Sequence, residues 1–115
     1  MLNLFQHLQI NMISKKYYIY ILASRIRGPL YIGVTNNLLK RIWQHKEKIV
    51  EGFTTQYQVN RLVYYEEYTD IREAIAREKQ LKNWHRQWKI NIIEQQNSGW
   101  KDLYFGFGDP ETSSG

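Results

Sequence analysis

The chain has 115 residues and a mass of 13.9 kDa, enough for one domain with one modest core. Hydrophobic residues make up 43%, which excludes compositional disorder. The absence of cysteine excludes disulfides and thiolate metal sites and suits a reducing compartment. Net charge is +5, concentrated before residue 96, where 15 basic residues face 8 acidic ones for a net +7; this favours a polyanionic partner.

Residues 1–14 (MLNLFQHLQINMIS) form an N-terminal extension, read either as disordered or as a short amphipathic turn, with Met12 an equally natural start. The lysines follow the apolar residues, the reverse of a secretory signal, and no run is long enough to span a bilayer. A cytoplasmic protein without membrane contact is the expectation.

The organising stretch is Tyr17 to His45. Tyr17-Tyr18-Ile19-Tyr20-Ile21-Leu22 is aromatic and β-branched and predicts a strand; Ser24 to Pro29 predicts a turn, and Leu30-Tyr31-Ile32-Gly33-Val34 a second strand. Gly33 there predicts a close approach by another backbone or a ligand. Thr35 and Asn36 are suitable N-caps for a helix over 37–49, with Leu38 or Leu39, Ile42 and Trp43 on its buried face. Arg41, His45 and Lys48 then fall on one polar stripe, which is either a solvent face or one wall of a site.

Residues 51–60 (EGFTTQYQVN) read as a loop and Arg61 to Tyr68 as a third strand. Alternation would send Leu62, Tyr64 and Glu66 one way and Val63, Tyr65 and Glu67 the other. Asp70 and Glu73 make a capping box for a further helix. Glu78 sits on its apolar stripe with Ile71, Ala74, Ile75 and Leu81, where a carboxylate requires a cation, hydrogen bonds or a metal. Asn83 can cap a last helix to about Gln95, with Trp84, Trp88 and Ile92 first read as core closure and His85, Arg86 and Lys89 free to meet phosphates. A tail over 96–115 follows, able to dock aromatics between Trp100 and Phe107 and disordered at its end. The order β-β-α-β-α-α predicts an α+β domain over 15–95, with a small, three-stranded, mostly antiparallel sheet flanked by helices.

Between Tyr17 and Ile93 the chain resembles the GIY-YIG endonuclease superfamily, and within it the small stand-alone bacterial members. Tyr31-Ile32-Gly33 stands intact as the second signature element. The first is altered: Tyr18-Ile19-Tyr20 keeps the tyrosine but has Tyr18 in place of the glycine. Arg41, His45 and Glu78 match later positions of the pattern. The resemblance implies a metal-dependent DNA endonuclease of low sequence specificity, acting on duplex or branched DNA, with repair or recombination as its setting. It implies Tyr20, Tyr31, Arg41, His45 and Glu78 as catalytic residues, Glu78 as ligand of one Mg²⁺ or Mn²⁺, and Arg41 as the grip on the scissile phosphate. Either a tyrosine or His45 would serve as base. A free tyrosine titrates near 10, so neighbouring cations would have to lower it. Around that centre Arg41, Lys48, Lys82, Arg86 and Lys89 would contact nucleic acid. Asn83 and Asn91 are both candidates for an asparagine that family members often carry beyond the acidic helix. The alternatives are a non-catalytic nucleic-acid-binding module that retains the fold, and a protein-interaction domain using its exposed aromatics.

Overall fold

In the computed structural model, residues 15–48 and 52–106 are described; the expectations for the N-terminal extension and for the last residues of the tail fall outside them. Strands β1 (Tyr17–Ala23), β2 (Leu30–Thr35) and β3 (Arg61–Tyr68) make one sheet in the order β2-β1-β3, antiparallel throughout. Helices α1 (Leu38–Lys46), α2 (Phe53–Gln56), α3 (Ile71–Asn83) and α4 (Arg86–Gln96) and a 3₁₀ turn (Leu103–Gly106) complete the α+β domain. The stretch read as a loop thus holds one turn of helix, α2.

The central strand is covered on both faces, which is why its apolar residues run without polar interruption. Ile19, Ile21 and Ala23 face α3 and α4 and pack with Ala74, Leu81, Ile90, Ile93 and Trp100. Tyr20 and Leu22 face the other way, against Leu38 and Ile42 of α1. Strict alternation fails in β3. A register shift opposite Ile21 and Leu22 places one extra residue in the strand. Val63 and Tyr64 therefore both join the α3–α4 face, while Leu62 and Tyr65 join the α1 face.

Three helix expectations change. In α1 the buried stripe is Leu38, Ile42 and His45 at i, i+4, i+7; Leu39 and Trp43 lie a hundred degrees round and are 43% and 46% exposed. The cap is Asn37, whose side chain accepts from the Lys40 amide at 3.2 Å. Asn83 ends α3 and starts nothing. Trp84 and His85 are extended, with ψ of 150° and 149°, and His85 begins α4 without a side-chain cap. That break re-aims α4, so Ile90 and Ile93 enter the core while Trp88 is 53% exposed.

The chain after α4 packs onto β3. Trp100 is fully buried, its indole N–H donating to Glu94 at 2.7 Å, and Asn97 donates to the Val63 carbonyl at 3.0 Å. Asp102 accepts from the Leu62 amide and pairs with Lys46 of α1. On the α3–α4 face Glu66 takes both prongs of Arg77 at 3.0 Å and the hydroxyls of Tyr64 and Tyr68. These contacts hold β3 and α3 in register with the site.

Candidate active site

The site begins with Gly33. It pairs directly across the sheet with Tyr20, and a Cβ built on it would lie 2.5 Å from the Tyr20 hydroxyl oxygen and 2.6 Å from the ring carbon that carries it. The predicted close approach is therefore made by a side chain: the phenol of Tyr20 lies across the backbone of β2. Only glycine leaves room for it there.

From that position the phenol reaches α1. Arg41 Nε donates to the Tyr20 hydroxyl at 3.4 Å, and the hydroxyl lies 3.2 Å from His45 Nε2. His45 Nδ1 lies 3.1 Å from the Thr54 hydroxyl on α2. A guanidinium can only donate, so the phenol oxygen accepts from Arg41 and its proton is free to go to Nε2. Neutral His45 then carries its own proton on Nδ1 and donates to Thr54. This direction gives the buried phenol proton an acceptor; with Nε2 protonated, the phenol would accept twice and its own proton would have no acceptor among these partners.

Burial sets the protonation states. Tyr20 is 1% exposed and His45 2%. Burial pushes the Tyr20 phenol up to about 12, against the opposing hydrogen bond from Arg41. Burial first, then the charge of Arg41, pulls His45 down to about 4. At neutral pH both are uncharged, and Arg41 is the cation of the group; the Tyr20 hydrogen bond, the largest influence on it, raises its pKa further.

Tyr31 stands beside them, its ring centroid 6.2 Å from that of Tyr20 and 5.5 Å from that of His45, and it is only half-buried. Arg41 also donates to Gln44 at 3.3 Å. It borders a cleft of about 380 Å³ lined by Thr35, Asn36, Asn37, Lys40 and Gln44. Glu78 comes from α3. Its side chain is 15% exposed, one oxygen lies 3.1 Å from Lys82 Nζ, and its charge is among the influences that raise Tyr20. Tyr20, Tyr31, Arg41 and His45 thus form one contact network, with Glu78 coupled to it electrostatically.

The basic residues divide. Lys82 and Lys89 border a second cleft of about 260 Å³ against Leu30, Tyr31 and Ile32, and Lys89 also donates to the Lys82 carbonyl. Arg86 spends its guanidinium on the Arg27 and Gly28 carbonyls of the β1–β2 turn. Lys48 lies beyond the end of α1 with φ of 59°, exposed and off the stripe of Arg41 and His45. Asn91 accepts from Gln87 on an exposed helix face. Thr54 and Gln44 are partners that sequence reading missed; nothing in the spacing links a threonine in a presumed loop to a histidine nine residues earlier. Among the described residues no three His, Cys, Asp or Glu side chains gather around a metal-sized point, so a cation here would have Glu78 as its protein carboxylate and water for most of its shell. A single carboxylate beside phenols fits a hard, hydrated divalent ion.

The fold and this site define a GIY-YIG catalytic domain. The model of that domain matches residues 16–91, and the chain belongs to the GIY-YIG family. More narrowly, it is similar to UPF0213 proteins. That of Clostridium perfringens is 36% identical over 80 residues, covering 70% of this chain and 85% of the relative. That of Staphylococcus saprophyticus is 34% identical over 80 residues, covering 70% and 96%. The solution NMR structure of the Bacillus halodurans UPF0213 protein is similar over 81% of this chain and 97% of that one, with 22% identity and a TM-score of 0.49. Among the described residues no helix is long and apolar enough to cross a membrane.

Proposed function

We propose that this chain is a metal-dependent DNA endonuclease of low sequence specificity. The observation that carries the reading is the hydrogen-bonded chain from Arg41 through Tyr20 and His45 to Thr54, built behind a single partly exposed guanidinium. A neutral, buried relay that fixes one cation at the mouth of a cleft suits the binding of a phosphodiester, whose charge grows in the transition state.

In this mechanism Arg41 binds the scissile phosphate in the cleft of Thr35 to Gln44, with Lys40 adding positive charge. Tyr20 and His45 are out of reach of bulk water, so they act as positioning groups that aim the guanidinium. Tyr31 is the half-exposed phenol and orients the attacking water. Glu78 would hold one Mg²⁺ or Mn²⁺, which when bound supplies Lewis-acid relief of charge on the phosphoryl and leaving oxygens. Lys82 is half-exposed and can release the carboxylate to water. Low specificity follows from the basic residues: their partners would be phosphates, which carry no sequence information.

The test is a nuclease assay on single-stranded, duplex and branched DNA with and without Mg²⁺ or Mn²⁺. The expected result is metal-dependent nicking that Arg41→Ala and Glu78→Gln each abolish. Salt-sensitive DNA binding with no cleavage under any metal would replace this reading with the binding module. The absence of DNA binding would remove both.

A further inference from the structure

Two features of the α1 face are left unexplained by this site. The residue that departs from the family signature, Tyr18, is not tucked away: it is half-buried, edge-on to Tyr65 at 6.3 Å, and the two line a cleft of about 340 Å³ with Lys16, Asn36, Asn37, Leu38, Leu39 and Glu67. Trp43 stands one turn along α1 from Leu39, on the same face and nearly half-exposed. Neither Leu39 nor Trp43 serves the core.

We propose that Tyr18, Tyr65, Leu39 and Trp43 form a stacking surface for unpaired nucleobases of the DNA strand whose phosphates occupy the Arg41 cleft. The inference rests on the function proposed above and names its substrate class: DNA with an unpaired stretch beside the scissile bond.

Position is the first argument. The aromatic cleft and the Arg41 cleft share Asn36 and Asn37 as a common wall, so a strand gripped by Arg41 and Lys40 has its next nucleotide beside Tyr18. Chemistry is the second. A base offers an apolar face and a polar edge; the cleft offers tyrosine rings and leucine below, and the Asn36 amide and Glu67 carboxylate at the rim. Glu67 is paired with Lys16 at 3.2 Å, which offsets its repulsion of phosphate. The third argument concerns the duplex. A stacked, paired base cannot enter a side cleft without leaving its helix, and that costs a few kcal/mol, whereas an unpaired base enters freely. An exposed tryptophan next to such a cleft adds a further stacking position and tolerates any base.

The experiment uses the full chain in EDTA, so that binding is read without cleavage. Fluorescence anisotropy gives Kd for an oligodeoxynucleotide and for the same sequence as a blunt duplex, and 2-aminopurine in the single strand reports stacking. Trp43→Ala is expected to weaken single-strand binding about tenfold, or about 1.4 kcal/mol, and to leave duplex binding within a factor of two. Tyr18→Phe should keep the 2-aminopurine quench, and Tyr18→Leu should lose it. Thermal unfolding checks that the Tyr18→Leu protein is folded; if it is not, Trp43→Ala decides. Equal losses on single strand and duplex, or no loss on either, overturn the stacking surface. Cleavage of single-stranded or branched DNA with Mg²⁺ by the unaltered chain keeps the two proposals apart. Nicking without a single-strand-specific loss removes the surface alone; base stacking without nicking removes the nuclease alone.

Discussion

Replacing Gly33 by alanine tests whether the site is held together by the contact between Tyr20 and the β2 backbone. The added methyl carbon would lie 2.5, 2.6 and 3.0 Å from three atoms of the Tyr20 phenol. Carbon contacts are comfortable at about 3.5–4.0 Å, so the ring must retreat by roughly 1 Å. A surface tyrosine would do this at little cost, but Tyr20 is almost wholly buried, and its hydroxyl is held by Arg41 and His45. Overpacking of this kind costs about 1–3 kcal/mol, and a broken hydrogen bond adds about 1. Gly33→Ala should therefore lose about 2–4 kcal/mol in urea unfolding. It should lose cleavage well beyond that, because Arg41 no longer points into the cleft. Gly99→Ala is the control: its nearest contact is Lys101 at 3.8 Å, and its effect should stay within about 0.5 kcal/mol. A double-mutant cycle makes the test specific. In a Tyr20→Leu background the phenol is gone, and Gly33→Ala should become nearly free. If the cost persists unchanged in that background, the steric argument fails.

Three further outcomes follow from the geometry. Glu78→Gln should abolish metal-dependent cleavage while changing stability by less than about 1 kcal/mol, since its partner Lys82 is half-exposed and stays hydrated; a destabilised but active variant would end the metal-ligand role. Arg41→Lys keeps the charge but loses the planar donors that meet Tyr20 and Gln44, so turnover should fall more than affinity, while Lys48→Ala should weaken binding slightly and spare the bound-state rate; equal effects on turnover would refute the assignment. His45 has a folded-state value of about 4 against an ordinary 6.5, so between those values the unfolded chain takes up a proton that the folded one refuses; stability should fall as pH drops from 6.5 towards 4, by up to about 2–3 kcal/mol, and His45→Gln should flatten that slope in urea titrations at pH 7 and 5.

The sheet and the order of its elements were legible because their signals are local. β-branched and aromatic runs, a Gly-Pro turn and an Asx cap each constrain a few neighbouring residues, and Asp70 does cap α3, accepting from the Arg72 amide at 2.8 Å. What was not legible depends on contacts across the fold. Periodicity could not tell which side of α1 would be buried, because Leu38 and Leu39 offered two neighbouring stripes. The choice was made by His45, a polar residue that enters the core once Tyr20 and Thr54 satisfy both ring nitrogens. The bulge in β3 has no residue signature and reverses the facing of every position beyond it. The burial of Trp100 depends on Glu94 of the preceding helix and on Asn97 just past its end. At the site, the residue types and their order were legible, whereas the direction of the hydrogen bonds and the neutrality of the relay were not.

The neutrality of that relay explains why a buried histidine is tolerable beside an arginine. A charged His45 next to Arg41 would place two cations in contact, one of them buried, and each would oppose the other. A neutral imidazole accepting from a neutral phenol avoids this, and among the described residues no buried side-chain nitrogen or oxygen lacks a partner. Fully satisfied buried networks rigidify what they hold, so the desolvation spent on Tyr20, His45 and Thr54 returns as a fixed guanidinium. Under the proposed function, substrate would then meet a cation already aimed, with no reorganisation left to the transition state. The same logic places the residue that departs from the family signature, Tyr18, outside the relay. Tyr18 lies two residues from Tyr20 on the same face of β1, and it can be a glycine or a tyrosine without touching Arg41, His45 or Thr54. Under the proposed function, exchange at that position would change what lies beside the scissile phosphate and leave the grip on the phosphate as it was.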